Sequence, residues 1–312
     1  MKNNKTLTYI LLVLSTGFWG VSFIMTKELL DVPHMTVSIL ITLRLAVATL
    51  VMVPSLALVR KLERVRRQDV KWFLLLALTE PFIYNLCETI GVDNVSSSLA
   101  SVIVATIPLF VPFGMYVGYR QRIKPSMLVG VVMSLAGVGV MLIGGEALTG
   151  SAKGLLFLAG AVFIAVVYTL ILVKIVDHYQ PVTITTYQNV IGLIYYIPLM
   201  LALDHGELMQ LQVTPRMLLL LLILGLCCST LAYVFYNRGV RHLGASEACI
   251  FNNAIPVVTF FVALSLPGLA HPESFSWLKL LGILTVISGV VIAQNPFKTW
   301  GNPAPPAPTA EE

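Results

Sequence analysis

One arginine and two glutamates stand inside long apolar stretches of the chain: Arg44, Glu80 and Glu88. A charged side chain in hydrocarbon costs several kcal/mol, so it faces protein or a water-filled cavity and marks a candidate pathway for an ion or solute. Glu80, Tyr84 and Glu88 fall at i, i+4 and i+8, which lines all three along one face of a helix. Such an acidic stripe can recognise an ammonium group or carry protons, or Glu88 can simply sit in vestibule water. At about 1.5 Å per residue, Arg44 lies roughly 14 Å into its span, Glu80 about 16 Å from the same face and Glu88 about 5 Å. Equal depth makes Arg44 and Glu80 expected partners, as part of a site or as a lock between two helices.

Other polar groups in apolar surroundings extend the candidate set. Asn252 and Asn253 precede Pro256, while Tyr233, Tyr236 and Asn237 occupy neighbouring turns, and each wants a hydrogen-bond partner that lipid lacks. Trp19, Tyr168, Gln188 and Asn189 are weaker members of the set. Pro108 and Pro256 are candidate hinges or fixed kinks, because a proline keeps the carbonyl four residues earlier, that of Val104 or Asn252, from closing its helical bond. No metal is expected, since His34, His178, His205, His242 and His271 fall at loops or span ends and Cys87, Cys227, Cys228 and Cys249 lack ligand spacing. No cofactor is expected either, and the absence of a glycine-lysine-serine/threonine phosphate loop gives no support to direct nucleotide drive.

The elements that hold these residues are membrane helices. Of 312 residues, 57% are hydrophobic and 11% charged, against about a quarter charged in ordinary globular chains. Windows of about 20 apolar residues, enough to cross a bilayer, lie near 8 to 28, 35 to 58, 70 to 91, 97 to 118 and 124 to 143. Five more lie near 153 to 174, 183 to 204, 216 to 238, 246 to 266 and 276 to 294. The expected fold class is therefore an all-α integral membrane protein of ten transmembrane helices. The first stretch runs on through Phe23 and Ile24, too long for a signal peptide, and is kept as a helix.

The net charge of +5 does not point to nucleic acid, because the basic residues segregate by side. With both termini inside, Lys2, Lys5, Arg60, Lys61, Arg64, Arg66, Arg67, Lys71, Arg120, Arg122, Lys124, Lys174, Arg238, Arg241 and Lys298 collect on one face, against Lys27, Lys153, Arg216 and Lys279 on the other. The positive-inside rule then puts the termini in the cytoplasm of a cell whose inner membrane the chain crosses. The cluster from 60 to 71 needs no role beyond topology and anionic headgroups.

The chain repeats itself. Gly91, Val92, Ala100, Ile107 and Pro108 recur as Gly239, Val240, Ala248, Ile255 and Pro256 at one spacing of 148 residues. Gly130 and Gly137 return as Gly282 and Gly289 after a slightly longer loop, and Pro54 corresponds to Pro198. Five spans per half is an odd number, so the halves enter the bilayer in opposite orientation, the architecture of alternating access. The expected units are residues 6–145, residues 152–294 and a proline-rich tail, 295–312, with the composition of a disordered segment. Under that repeat Glu80, Tyr84 and Glu88 correspond to Cys228, Ala232 and Tyr236, and Arg44 to Gln188, so the charges belong to one half only. Glycines 130, 137, 139, 144, 145, 282 and 289 suit close helix packing, within the protomer or across a homodimer.

Trp19 and Gly20 with Ser22, Phe23 and Lys27, Arg44, the run from Gly91 through Ala100 to Pro108 and its second copy, and Glu273 with Gly282 and Gly289 together carry a resemblance. Over residues 6 to 294 the chain resembles a tandem pair of repeats of the EamA family in the drug/metabolite transporter superfamily. The resemblance implies ten helices around a central cavity and export of amino acids, other metabolites or toxic compounds. Gln121 departs from the family's usual acidic residue at the place matching Glu273. The function expected is a secondary transporter of a small-molecule substrate, an exporter of amino acids or related amphipathic solutes working by alternating access in the lipid bilayer, with or without proton coupling. The alternatives are a lipid flippase, a non-transporting partner subunit and an intramembrane enzyme using the buried carboxylates.

Overall fold

A computed structural model describes residues 2–58, 62–120, 125–141, 152–265 and 275–294. Arg60, Lys61, Gln121, Arg122, Lys124, Gly144, Gly145, Glu273, Lys298 and the proline-rich tail lie outside the described residues.

Every long apolar window becomes a helix, because a backbone in hydrocarbon must satisfy its own donors and acceptors. They are α1 (Lys2–Leu30), α2 (Val37–Leu58), α3 (Val70–Asn94) and α4 (Ser97–Tyr119), and α5 (Pro125–Met141). Then follow α6 (Ala152–Ile175), α7 (Pro181–Leu203), α8 (Pro215–Leu243) and α9 (Ala245–Ser265), and α10 (Trp277–Gln294). Among the described residues there is no strand, and eight helices are long and apolar enough to cross a membrane. The other two expected windows hold α5 and α10, of 17 and 18 residues, which at 1.5 Å per residue span about 25 to 27 Å against the roughly 30 Å of a hydrocarbon core. Large apolar side chains face outward all round, Leu50, Leu58, Val117, Phe163 and Leu203 among them, as a lipid-facing surface requires.

The ends of the helices gather into two polar layers. At one end Lys27 Nζ donates to the carbonyls of Val92 and Asp93 at the end of α3, Arg216 pairs with Glu28 at 2.8 Å, and His34 meets Glu207 at 2.8 Å. At the other, the non-helical segment before α3 lies across the start of α7. There Gln180 N–H donates to Glu63 at 2.6 Å, and Tyr179 OH donates to Asp69 at 2.6 Å and accepts from Arg66 N–H. Lys174 stands over the Trp72 ring at 4.5 Å in the same layer.

Backbone irregularities recur at the repeat spacing. α3 passes through a π-helical stretch at Leu78–Ile83 and α8 through one at Leu224–Leu231. α4 is interrupted between Val104 and Ile107, and α9 tightens into a 3-10 turn at Ile250–Ala254 before Ile255 and Pro256. One expectation changes here: the Asn252 carbonyl is not left open by Pro256, because the 3-10 turn lets it accept from Ile255 N–H.

Glycine contacts recur in the same way. A Cβ on Gly91 of α3 would stand 2.4 Å from Leu158 of α6, and one on Gly239 of α8 would stand 2.5 Å from Leu12 of α1. Gly137 of α5 packs on the Gly282 carbonyl of α10, 2.8 Å from where a Cβ would be, and Gly289 of α10 packs on the Gly130 carbonyl of α5 at 2.7 Å. Gly130, Gly137, Gly282 and Gly289 thus meet across α5 and α10 inside the chain, while Gly139 has open space where a Cβ would stand. α1 is tied into the second half: Ser15 donates to the Ala232 carbonyl at 2.8 Å and Thr16 to that of Phe251 at 3.1 Å.

Candidate functional site

Pro81 sets the local geometry of the site. The residue before a proline is pushed out of the α region, and Glu80 takes φ −138°, ψ 118° in the middle of α3. Its carboxylate, 3% exposed, accepts from Tyr233 OH at 2.6 Å through Oε1, while Oε2 is buried with no partner. About one turn on, Tyr84 OH donates to Glu88 Oε1 at 3.0 Å, the contact that i, i+4 spacing allows.

Arg44 reaches the same space from α2, also 3% exposed. Its Nε donates to the hydroxyl of Ser229 in the π-helical stretch of α8, and Asn189 steadies that stretch by donating to the Ser229 carbonyl at 3.2 Å. Two glycines let these backbones meet. A Cβ on Gly225 would fall 2.9 Å from the Arg44 carbonyl, and one on Gly192 would fall 2.3 Å from Pro81.

These groups line one cavity of about 620 Å³ of empty space, its open mouth included. Trp19, Arg44, Glu80, Tyr84, Glu88, Tyr168, Tyr233 and Asn252 all contribute to its wall. Trp19 makes an edge contact with Tyr233, centroids 5.1 Å apart, and leans on Tyr236 at 5.3 Å. The cavity thus offers one cation, two carboxylates and a sheet of aromatic rings, the mixture of apolar wall and few placed polar groups that suits a small ligand.

Four expected residues stand behind the wall, Asn189 already described among them. Asn237 is fully buried, accepting from Tyr168 OH at 3.4 Å and donating to Thr185 at 3.2 Å, so it supports Tyr168. Gln188, the counterpart of Arg44, is buried beside Tyr168 with Oε1 unpaired. Asn253 is buried with neither amide atom bonded. Pro108 and Pro256 each sit at the start of the second segment of their helix, and the neighbouring Val104, Ile107 and Ile255 line the cavity.

The expected Arg44–Glu80 ion pair does not form: among the described residues no nitrogen of Arg44 comes within 4.0 Å of a carboxylate. The depth count treated α3 as a straight helix, whereas the break at Glu80 turns its carboxylate to Tyr233 and leaves Arg44 to Ser229. Ser229 itself escaped notice. It occupies the repeat position of Pro81, and a lone serine in an apolar run is too common in membrane helices to stand out. Ser22, Phe23, Ala165 and Thr169 complete the wall, and nothing in their types separates them from ordinary helix-packing residues. Among the described residues no three His, Cys, Asp or Glu side chains gather as a metal site, and the four cysteines are unpaired thiols.

A helical membrane protein with a polar cavity among its spans has the build of a solute carrier. Residues 6–143 and 152–294 each match the profile of the EamA-like transporter family. The chain belongs to that family, as two tandem copies of its repeat. It is 25% identical to an uncharacterized transporter of Archaeoglobus fulgidus over 89% of this chain and 98% of that one. It is 24% identical to the uncharacterized transporter YetK of Bacillus subtilis, covering 91% of this chain and 86% of the relative. A protein of Streptantibioticus cattleyicolor named a probable terminal-alkyne amino-acid exporter is 23% identical over 73% of this chain and 74% of its own length. A solved crystal structure aligns with a TM-score of 0.64 at 17% identity, covering 90% of this chain and 97% of that one, and so shares the fold.

Proposed function

We propose that this protein is a secondary transporter that exports amino acids or related amphipathic metabolites across a bacterial inner membrane by alternating access. The observation that carries this is the single cavity in which Arg44, Glu80 and Glu88 meet the rings of Trp19 and Tyr233. Charges are kept inside a membrane protein where a solute or ion must be handled.

In this proposal ten helices cross the bilayer as two inverted halves, residues 6–145 and 152–294, with both termini and the tail from 295 in the cytoplasm. The reciprocal contacts of Gly137 with Gly282 and of Gly289 with Gly130 support a two-fold relation between the halves. So do the π-helical stretches at matching places in α3 and α8. The cytoplasmic face would be the layer holding Arg64, Arg66, Arg67 and Lys71, by the lysine and arginine bias. The exporter named among the relatives favours an amino-acid-like solute.

The test is a counterflow screen of metabolites with the purified protein in liposomes, with and without a proton gradient. Exchange of one or more amino acids or close analogues is the expected outcome. A screen in which no solute moves, but fluorescent lipids cross the bilayer, would replace this function with lipid translocation.

A further inference from the structure

The two signs of charge in the cavity are each held at one end and free at the other. Arg44 spends Nε on Ser229, and among the described residues its two terminal nitrogens have no protein hydrogen bond. Glu80 spends Oε1 on Tyr233 and has Oε2 unpaired. Glu88 is held through Oε1 by Tyr84. In a low-dielectric site opposite charges attract strongly, yet here the guanidinium is bonded to Ser229 and the Glu80 carboxylate to Tyr233, and among the described residues no ion pair joins them. A ligand that carried both charges could satisfy both groups without first breaking a salt bridge between them, and so without the penalty of leaving one buried charge alone.

We infer, on the footing of the transporter proposal, that Arg44 is the carboxylate anchor of a two-pole site for a small zwitterion. The two terminal nitrogens take the ligand's carboxylate as a fork. The ammonium turns to the Glu80 and Glu88 side, and the apolar body lies along the Trp19 ring, whose face suits it. The poles are not interchangeable, because Arg44 and the acids come from different helices and each is oriented by its own hydroxyl partner. Arg44 therefore sets a requirement for a free carboxylate rather than adding general affinity.

Counterflow over three matched sets of solutes tests this: the free L-amino acids, their methyl esters, and the corresponding decarboxylated amines. Free amino acids should exchange at least about tenfold faster than their esters and amines, the scale set by loss of one partner from a buried charge pair. In Arg44→Gln the preference for acid over ester should disappear. In Arg44→Lys, which keeps the charge but loses the fork, acids should slow yet remain preferred. Wild-type protein that exchanges esters or amines as fast as acids overturns the assignment, and this comparison holds even where Arg44→Gln fails to fold. Exchange only of solutes outside the three sets also overturns it while transport stands. No movement of any solute class sinks both.

Discussion

α3 and α8 pass through the same backbone irregularity with different chemistry. At Leu78–Ile83 the chain opens into a π-helical stretch that carries Glu80, and at Leu224–Leu231 a second stretch carries Cys228 at the matching place. Glu80 lines the cavity and accepts from Tyr233. Cys228 is buried and donates to the carbonyl of Phe18 at 3.2 Å, holding α1 to α8. One position of the repeat carries a cavity-lining carboxylate and the other a thiol that ties two helices together. Both bulges lie where neighbouring helices come close, α2 against Gly225 and α7 beside Pro81, and at each place a glycine makes the room. The site needs the carboxylate only once.

That difference can be broken at several strengths. Glu80→Gln should have the largest effect, abolishing counterflow or reducing it by more than about a hundredfold, within the cost of losing one partner of a buried charge network. Folded yield on gel filtration should stay near wild type, since the amide is isosteric and Tyr233 can still donate to it. A fully active Glu80→Gln would remove the carboxylate from the mechanism.

Gly137→Leu and Gly289→Leu probe the frame rather than the site. Each would drive a side chain into backbone, the Gly282 carbonyl in one case and the Gly130 carbonyl in the other, and overpacking of this kind costs about 1 to 3 kcal/mol or more. The two should lower the thermal midpoint by similar amounts, read by scanning fluorimetry in detergent. A large loss in one and none in the other would count against equivalent halves.

Tyr233→Phe removes the hydroxyl bonded to Glu80 and leaves the ring against Trp19. A hydrogen bond to a charged group is worth about 1.5 to 3 kcal/mol, so counterflow should slow by about ten- to a hundredfold with little change in folded yield. Tyr84→Phe, which releases Glu88 from its partner, should cost less, because Glu88 is the less buried of the two acids. Equal losses would mean that Glu88 shares the work of Glu80.

Much of the frame was legible before any coordinates, because bilayer thickness and backbone hydrogen bonding leave little choice but helices of about 20 residues. The repeat was legible from Gly91, Pro108 and their copies, since close packing and kinks demand particular residue types. α5 and α10, expected as spans like the other eight, come out as helices of only 17 and 18 residues. In the site, Arg44 and the acidic stripe were legible because charge in an apolar run is conspicuous. Their partners were not. Ser229 and Tyr233 are recruited by a helix break at Glu80 that a straight-helix count cannot place, and Gln188 and Asn237 look like wall residues in sequence while they lie one layer behind it.

The most direct test sets the two equivalent positions against each other in one assay. Counterflow of the best exchanged solute would be compared for Glu80→Gln and Cys228→Ser in matched proteoliposomes, with insertion checked by protease accessibility. Loss in Glu80→Gln beside near-normal exchange in Cys228→Ser is the expected result. Equal loss in both, or normal exchange in both, would contradict a symmetric frame that holds an asymmetric site.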